Sequence, residues 1–215
     1  MPDETQLDKP MIVNWALAEI GQAANFSIGD DTRLGGIVNI FWPRAQARCF
    51  GLTDWPFCRR TYALTRQAAT PATGYRYGFD LPRPRYGAPV KYLEGNPRDD
   101  RPVRDTRIEG ETVFADVDTL SAVCKVAVDP QYWDEQFADC FAIALSSYLA
   151  VPLLQDIELA REKEEAAFGK RHEGGSGGMF GRLIAQHRAS GPMSAPTDPS
   201  TLHGGRVDGP WHGRY

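Results

Sequence analysis

Residues 129–171 read DPQYWDEQFADCFAIALSSYLAVPLLQDIELAREKEEAAFGKR, and this stretch organises the rest of the chain. Asp129 before Pro130 predicts a helix start, because aspartate caps the free N–H groups of a first turn and proline suits the first helical position. Large apolar residues then recur at spacings of three and four, which places them on one face that packs on a core. They are Trp133, Phe137, Phe141, Ala144, Leu145, Tyr148 and Leu149. We therefore predict a long helix over about 130–171.

A proline interrupts this helix at Val151-Pro152, where we predict a kink or a restart, since proline removes a backbone donor and crowds the preceding turn. Beyond it the apolar stripe thins and a mixed-charge face takes over. That face consists of Glu158, Arg161, Glu162, Lys163, Glu164 and Glu165. Such a pattern is typical of a helix that faces solvent or a neighbouring subunit, and we interpret these residues as a subunit interface or a lumen wall.

Two further helices are predicted before this one, over about 11–20 and about 32–50. Pro43 lies inside the second and should bend or divide it. The buried side of the second helix is predicted to comprise Ile37, Ile40, Phe41, Ala45 and Cys49.

Between the second and third helices the hydrophobic period changes to two, which indicates strands over about 75–128. Tyr75–Leu81, Val90–Leu93 and Leu120–Val128 read as strands. Ile108 to Glu111 reads as a tight hairpin turn with a return strand at Thr112–Ala115. We therefore predict one small antiparallel sheet inserted between helices, which makes the fold α+β and mainly α.

The composition changes again after residue 173, where a glycine-rich linker begins at Gly174 and residues 190–215 contain few aliphatic side chains. We predict a folded domain over 1–173 and a flexible C-terminal arm over 174–215. The arm should include a short helix over about 179–188 that needs a partner surface. We expect the arm to bind that partner through Met179, Phe180, Leu183, Ile184 and Trp211. A disordered solubilising tail is the alternative.

The 215 residues carry a net charge of −4, which is too mild and of the wrong sign for a protein that holds nucleic acid by phosphate neutralisation alone. The N-terminus is polar, and we expect no apolar run long enough to cross a bilayer, hence no membrane partner. The four cysteines lie far apart and are predicted to be buried thiols in a protein made in a reducing cytoplasm.

No catalytic, phosphate-binding or metal-binding motif is present in the sequence, so we expect no enzyme activity, no metal and no cofactor. All four histidines, His172, His187, His203 and His212, lie near or within the predicted arm. The corner at Trp55, Phe57, Arg59 and Arg60 is either a packed turn with solvated arginines or an electropositive surface for a partner.

Five short sequence motifs, spread over about residues 11–170, link this chain to a known family. They are Val13–Gly21 (VNWALAEIG), Trp42–Ala45 (WPRA), Trp55–Arg60 (WPFCRR), Tyr77–Pro82 (YGFDLP), and Asp129-Pro130 leading through Phe137-Ala138 to Leu149–Leu153 (LAVPL). In these motifs, and in their order along the chain, the protein resembles the head–tail connector (adaptor) proteins of tailed bacteriophages, the group that includes tail tubular protein A. The proline- and arginine-rich stretch from Pro82 to Arg107 and the long tail after Gly174 depart from that pattern.

The resemblance implies a bundle of long helices with an inserted β-region, assembled as a dodecameric ring in the virion, at the head–tail junction. Such a ring joins the portal protein to a downstream tail or nozzle protein, and DNA passes through it without specific binding. Two alternatives stay open. One is a tail terminator or completion protein at another ring position. The other is a small cytosolic enzyme whose scattered site uses Arg59, Arg60, Tyr75 and the carboxylates of the last helix.

Overall fold

A computed structural model describes residues 6–29, 31–170 and 177–190 of the chain. Within these ranges the fold is mixed α/β, with five α-helices and two small antiparallel sheets. The helices are α1 (Lys9–Glu19), α2 (Arg33–Gly51), α3 (Glu135–Leu154), α4 (Ile157–Phe168) and α5 (Gly178–Ser190). The strands are β1 (Arg59–Ala63), β2 (Thr65–Arg66), β3 (Tyr77–Asp80), β4 (Lys91–Glu94), β5 (Arg107–Glu109), β6 (Thr112–Ala115) and β7 (Leu120–Lys125).

The first two helices lie where the periodicity predicts them. α1 begins slightly before the predicted start, because the carboxylate of Asp8 accepts a hydrogen bond from the backbone N–H of Met11 at 2.8 Å and caps the helix. α2 runs through Pro43 without dividing. Its buried side includes Val38, Trp42, Ala45 and Cys49.

The long helix begins later than predicted. Asp129-Pro130 opens only a short 3-10 turn over Pro130–Tyr132. Asp134 is the true cap of α3, since its carboxylate accepts from the N–H groups of Gln136 at 2.9 Å and Phe137 at 3.3 Å. Both Asp129 and Asp134 are suitable helix caps in the sequence. The helix begins after Asp134, because the residues that follow it can bury their aromatic face.

The predicted helix over 130–171 is in fact two helices, and the break falls at Gln155 rather than at Val151-Pro152. Gln155 takes a left-handed conformation (φ 58°, ψ 26°) and ends α3. Asp156 then caps α4 by accepting from the N–H of Leu159 at 2.9 Å. Pro152 lies inside the last turn of α3, where the loss of its single donor does not stop the helix.

α3 forms the centre of the main core, and α1, α2, α4 and α5 all pack against it. By length and composition it is the one helix in the described residues that could cross a membrane, with a mean hydropathy of 1.7 over its best window. The expectation that no run reaches this length is therefore wrong. In the fold, 56% of that window is buried inside the protein, as expected for a core helix.

The β-region is two sheets rather than the one predicted, and it begins earlier. One sheet has the strand order β1-β7-β4 and the other β2-β3-β6-β5, with every pairing antiparallel. β1 and β2 were not predicted. The hairpin between β5 and β6 is confirmed, and Gly110 supplies its positive φ of 59°. The two sheets enclose a second core that includes Phe79, Tyr92, Val113 and Cys124.

The predicted helix over 179–188 exists as α5, but it packs on the protein's own core. Phe180 is fully buried and stacks on Phe168 of α4 with ring centroids 5.4 Å apart. It also contacts Phe137 of α3 at 5.7 Å, and Leu183 is buried beside it. At Gly178 a Cβ would meet the carbonyl oxygen of Ala166 at 2.6 Å, so only glycine fits where α5 begins. The folded domain therefore includes α5, and the predicted boundary at residue 173 is too early.

We expect Phe180→Ala to lower the free energy of unfolding by about 3–5 kcal/mol, because it removes a fully buried ring and leaves a cavity among aromatic neighbours. Urea unfolding of the full chain measures this loss. Arg182→Ala, which changes an exposed residue of the same helix, should shift stability by no more than about 0.5 kcal/mol. Equal stabilities for the two variants would contradict the packing of α5 on the core.

Candidate interaction surfaces

The predicted corner splits into a buried half and an exposed half. Trp55 is fully buried; its indole N–H donates to the carbonyl of Cys49 at 2.9 Å, and its ring packs on Phe137. Phe57 is half-buried against the same cluster. Both aromatics therefore pack in the main core.

The two arginines of the corner point outward on β1. Arg59 is held by Asp54 through an ion pair of 2.7 Å. Arg60 donates only to backbone carbonyls, those of Phe57 at 3.3 Å and of Arg59 at 2.8 Å. In the described part of the chain Arg60 has no carboxylate partner, so it is the corner residue whose charge stays available.

The charged face of α4 is largely satisfied within the chain. Lys163 pairs with Glu19 of α1 at 2.7 Å, and its side chain is only 17% exposed. Glu164 pairs with Arg48 of α2 at 2.8 Å, and Glu165 accepts from Arg161 at 3.4 Å. The pairs of Lys163 and Glu164 dock α4 on α1 and α2, whereas Arg161–Glu165 lies within α4. Of the six predicted interface residues, Glu158 and Glu162 alone form no ion pair with any described residue.

A shallow groove of about 210 Å³ lies between α2 and α4, with α3 as its floor. It is lined by Arg48, Ser147, Tyr148, Ile157, Ala160, Arg161 and Glu164. Ile157 stands at its edge with 70% of its surface exposed. On the α2 side, Arg44 lies over the rings of Phe41 and Tyr148 at 5.4 and 6.0 Å. The groove therefore has a serine and a tyrosine at its floor, aliphatic residues of α4 on one side, and charged side chains at its rims.

Ile40 of α2 was predicted to be buried, and that prediction is wrong: 59% of its surface is exposed. The core side of α2 is centred on Val38, Trp42 and Ala45, which rotates Ile40 out to solvent. Val151 of α3 is likewise 44% exposed. The predicted periodicity did not indicate these exposed apolar residues, although the spacing of Val38, Trp42, Ala45 and Cys49 marks the true core side.

A polar cluster fixes the proline-rich segment after β3 on the β5–β6 hairpin. The carboxylate of Glu111 accepts from Arg83 at 2.6 Å and from Arg85 at 2.7 Å. These two hydrogen bonds lower the pKa of Glu111 to about 2. Its backbone carbonyl also accepts from the N–H of Leu81 at 2.9 Å. Glu111 thus ties the hairpin to the segment that leads into β4.

The residues suggested for an enzyme site, in the alternative interpretation, each contact different neighbours. The hydroxyl of Tyr75 donates to Asp105 at 2.9 Å, whereas Arg59 pairs with Asp54 and Glu164 with Arg48. Burial raises the pKa of the Cys58 and Cys140 thiols to about 11, and all four cysteines are buried and free. His187 packs on the Trp55 ring at 5.4 Å; the other three histidines and Trp211 lie outside the described residues.

Among the residues that the structure describes, no group of three or more His, Cys, Asp or Glu side chains is placed to hold a metal ion. Comparison with known proteins gives no family for this chain, since no family model matches it and no curated protein does.

We expect Glu111→Gln to reduce stability at neutral pH and to have less effect in acid. Because the folded-state pKa is lowered, the carboxylate's contribution is complete above the unfolded-state value of 4.5 and is lost as the pH falls from there toward about 2. Denaturant unfolding of wild type and variant at several pH values measures the difference. Glu94→Gln, an exposed carboxylate of β4 without an ion pair among the described residues, is the control. A difference that does not shrink in acid would contradict this role.

Proposed function

We propose that this chain is a structural head–tail connector (adaptor) subunit of a tailed phage or phage-like particle, one that forms a ring between portal and tail. The observation that supports the proposal is the position, in the fold, of the short sequence motifs that resemble the family. VNWALAEIG supplies three of the four buried residues of α1, and WPRA places Trp42 and Ala45 in the main core. WPFCRR joins α2 to β1, and YGFDLP contains β3. These four motifs therefore lie in the two cores or in the segment that connects them. This is the placement expected of a shared scaffold.

In this proposal the helices form a mainly helical body of the subunit, and the sheets form a second unit attached at one end of α2. The attachment is specific: the ammonium group of Lys125 on β7 donates to the carbonyls of Phe50 and Thr53, both at 3.3 Å. The backbone N–H of Val126 also donates to the carbonyl of Cys58 at 2.9 Å. A ring subunit works by such fixed geometry, because a heterologous contact repeated around an axis closes into a channel.

The portal contact in this proposal belongs to the C-terminal region. Phe180 and Leu183 hold α5 on its own domain, while Met179 and Ile184 stay half-buried at its surface. We assign the portal contact to residues 191–215, which include Trp211, together with the exposed side of α5. A tethered segment of this kind gains strength from the number of copies in the ring.

DNA passes through the proposed channel without specific binding. The net charge of −4 and the carboxylates of Glu158 and Glu162, which pair with no described cation, repel phosphates wherever they approach the lumen. The ring is proposed to assemble on the portal, to contact a tail or nozzle protein on its other side, and to reside at the head–tail junction of the virion.

We expect the chain to be a fixed-ratio component of purified particles. Quantitative mass spectrometry of intact virions measures its copy number against the portal protein. An equal number of connector and portal subunits is expected if each forms a dodecamer. Particles that assemble and infect without the chain would rule out the connector function.

We expect truncation after Ser190 to leave thermal unfolding unchanged, because the domain through α5 is kept, and to abolish attachment to portal-bearing heads. Gel filtration of heads mixed with full-length or truncated chain measures attachment. A chain carrying Arg98→Glu, an exposed change in the β-region, serves as the full-length control. If the truncated chain attaches normally, the portal contact lies elsewhere while the connector function can still hold.

A further inference from the structure

We propose that the outer edge of β1 binds an extended segment of another protein, which adds to the three-stranded sheet as a further strand and carries a carboxylate beside Arg60. β1 lies at one edge of that sheet, in the strand order β1-β7-β4. The inference concerns backbone groups and one side chain of this chain. It therefore goes beyond the connector function and does not depend on it.

The backbone of β1 alternates between groups that face β7 and groups that face away from it. The N–H of Leu64 donates to the carbonyl of Leu120 at 2.9 Å, and at the other end the carbonyl of Cys58 accepts from Val126 at 2.9 Å. Successive residues of a strand direct their backbone groups to opposite sides, so the even-numbered residues of this run bond to β7. The residues whose backbone groups point outward are Arg59, Thr61 and Ala63.

The outward stretch that stays open is short. At its start the Arg59 N–H donates within the preceding 3-10 turn, and the Arg59 carbonyl accepts from the Arg60 side chain at 2.8 Å. After it, Thr65 pairs with β3. Between these points the N–H and C=O groups of Thr61 and Ala63 point outward without a hydrogen bond to any described residue, and both residues are exposed. These backbone groups, at strand spacing, remain for a partner.

The opposite edge of the same sheet shows how such groups are satisfied. On the outer side of β4 the N–H of Glu94 donates to the carbonyl of Arg101, and the N–H of Val103 donates to the carbonyl of Tyr92, both at 2.9 Å. The chain thus covers the β4 edge with its own segment 101–103. Among the residues that the structure describes, nothing covers the β1 edge in this way, and an uncovered edge strand is a template for a further strand.

Arg60 selects a negatively charged segment. Its Nη1 atom donates to the carbonyls of Phe57 at 3.3 Å and Arg59 at 2.8 Å. Because the Arg59 carbonyl points away from β7, the guanidinium group lies at the outer edge. Its Nε and Nη2 atoms donate to no described residue, and this side of a guanidinium binds a carboxylate through two parallel hydrogen bonds. Arg59 is already paired with Asp54 at 2.7 Å.

A groove on the same face of β1 accepts side chains of the added segment. Cross-strand neighbours point to the same face of a sheet, so the residues opposite Arg60 and Tyr62 direct their side chains to the face on which the groove opens. The groove measures about 320 Å³ and is lined by Arg60, Tyr62, residues 126–129 and Tyr132. Asp129 also lines it but forms no ion pair with Arg60. The segment that fits has a carboxylate opposite Arg60 and an apolar side chain opposite Tyr62.

A second copy of this chain fits the edge poorly. If two β1 strands paired across a two-fold axis, the guanidinium groups of both copies would lie along the shared edge. β1 itself contains no carboxylate that could meet them. Like charges in a contact oppose association, so the chemistry of the edge favours a different, acidic chain.

Hydrogen exchange of the isolated full chain, resolved to single amides, tests whether the edge is open. We expect the amides of Thr61 and Ala63 to exchange at least about a hundredfold faster than those of Arg60 and Tyr62, which bond to β7. Slow exchange of the outward amides in the monomer would mean that the chain's own residues cover the edge. Slow exchange only at high concentration would mean that a second copy covers it. Either result would overturn the proposal.

Designed peptides test the chemistry of the partner. One fluorescein-labelled peptide alternates threonine with valine and carries glutamate in place of one valine, and its matched control carries lysine there. Fluorescence anisotropy with the full chain should show at least about fivefold tighter binding of the glutamate peptide, and Arg60→Glu should reverse the preference. The proposal fails if the glutamate peptide does not bind, if both peptides bind equally, or if the variant keeps the original preference.

Two further changes separate backbone pairing from charge. Thr61→Pro removes an outward N–H and keeps the bonds to β7, so it should leave thermal unfolding unchanged and weaken the glutamate peptide at least about tenfold. Thr61→Val, which keeps the N–H, is the control and should bind as wild type does. A glutamate peptide with an N-methylated backbone should lose binding to the unaltered chain, which tests pairing even if the proline variant does not fold. Unchanged binding of the methylated peptide would show that no strand is added and would refute the proposal.

Discussion

The whole structure depends on the burial of α3. This helix is apolar on almost every side, and a helix of that kind is stable in water only if other elements cover each of its faces. α1, α2, α4 and α5 provide that cover, and Trp42, Phe50, Trp133, Phe137 and Phe141 fill the space between them. Aromatic rings bury large areas and interlock edge to face, so a change in one ring is felt by its neighbours.

The sheets depend on the same core at one point of attachment. Lys125 reaches back to the end of α2, and Cys58, whose thiol donates to the carbonyl of Trp55 at 3.2 Å, lies where the main core meets β1. Beyond that joint the sheets have their own core, and Glu111 holds the proline-rich segment to it through Arg83 and Arg85. The described part of the chain thus consists of two packed units that share a joint.

Ion pairs within the chain account for much of the charged face of α4. A mixed-charge helix looks uniformly polar, but Lys163 and Glu164 lock α4 to its neighbours, and exposed ion pairs such as Arg161–Glu165 contribute little. Among the described residues, Glu158 and Glu162 on α4 and Arg44 on α2 form no ion pair, and Arg44 shares a helix face with the exposed Ile40. Unsatisfied charge together with exposed apolar area is what distinguishes an interaction surface from a solvated one.

The sequence by itself determined most of the helices and strands, but not β1 or β2. The three- and four-residue spacings of α3, the two-residue alternation of β7 and the glycine turn between β5 and β6 are local signals, and each segment forms about where its pattern indicates. Only the tertiary structure decided how these segments pair. β1 pairs with the distant β7, Phe180 packs between Phe168 and Phe137, and Ile40 turns outward because Trp42 turns in. Local spacing shows that a face is apolar, whereas the choice of partner depends on the summed packing of residues far apart in the chain. For the same reason the charged face of α4 was visible in the sequence, while the two glutamates on it that pair with no described residue were not.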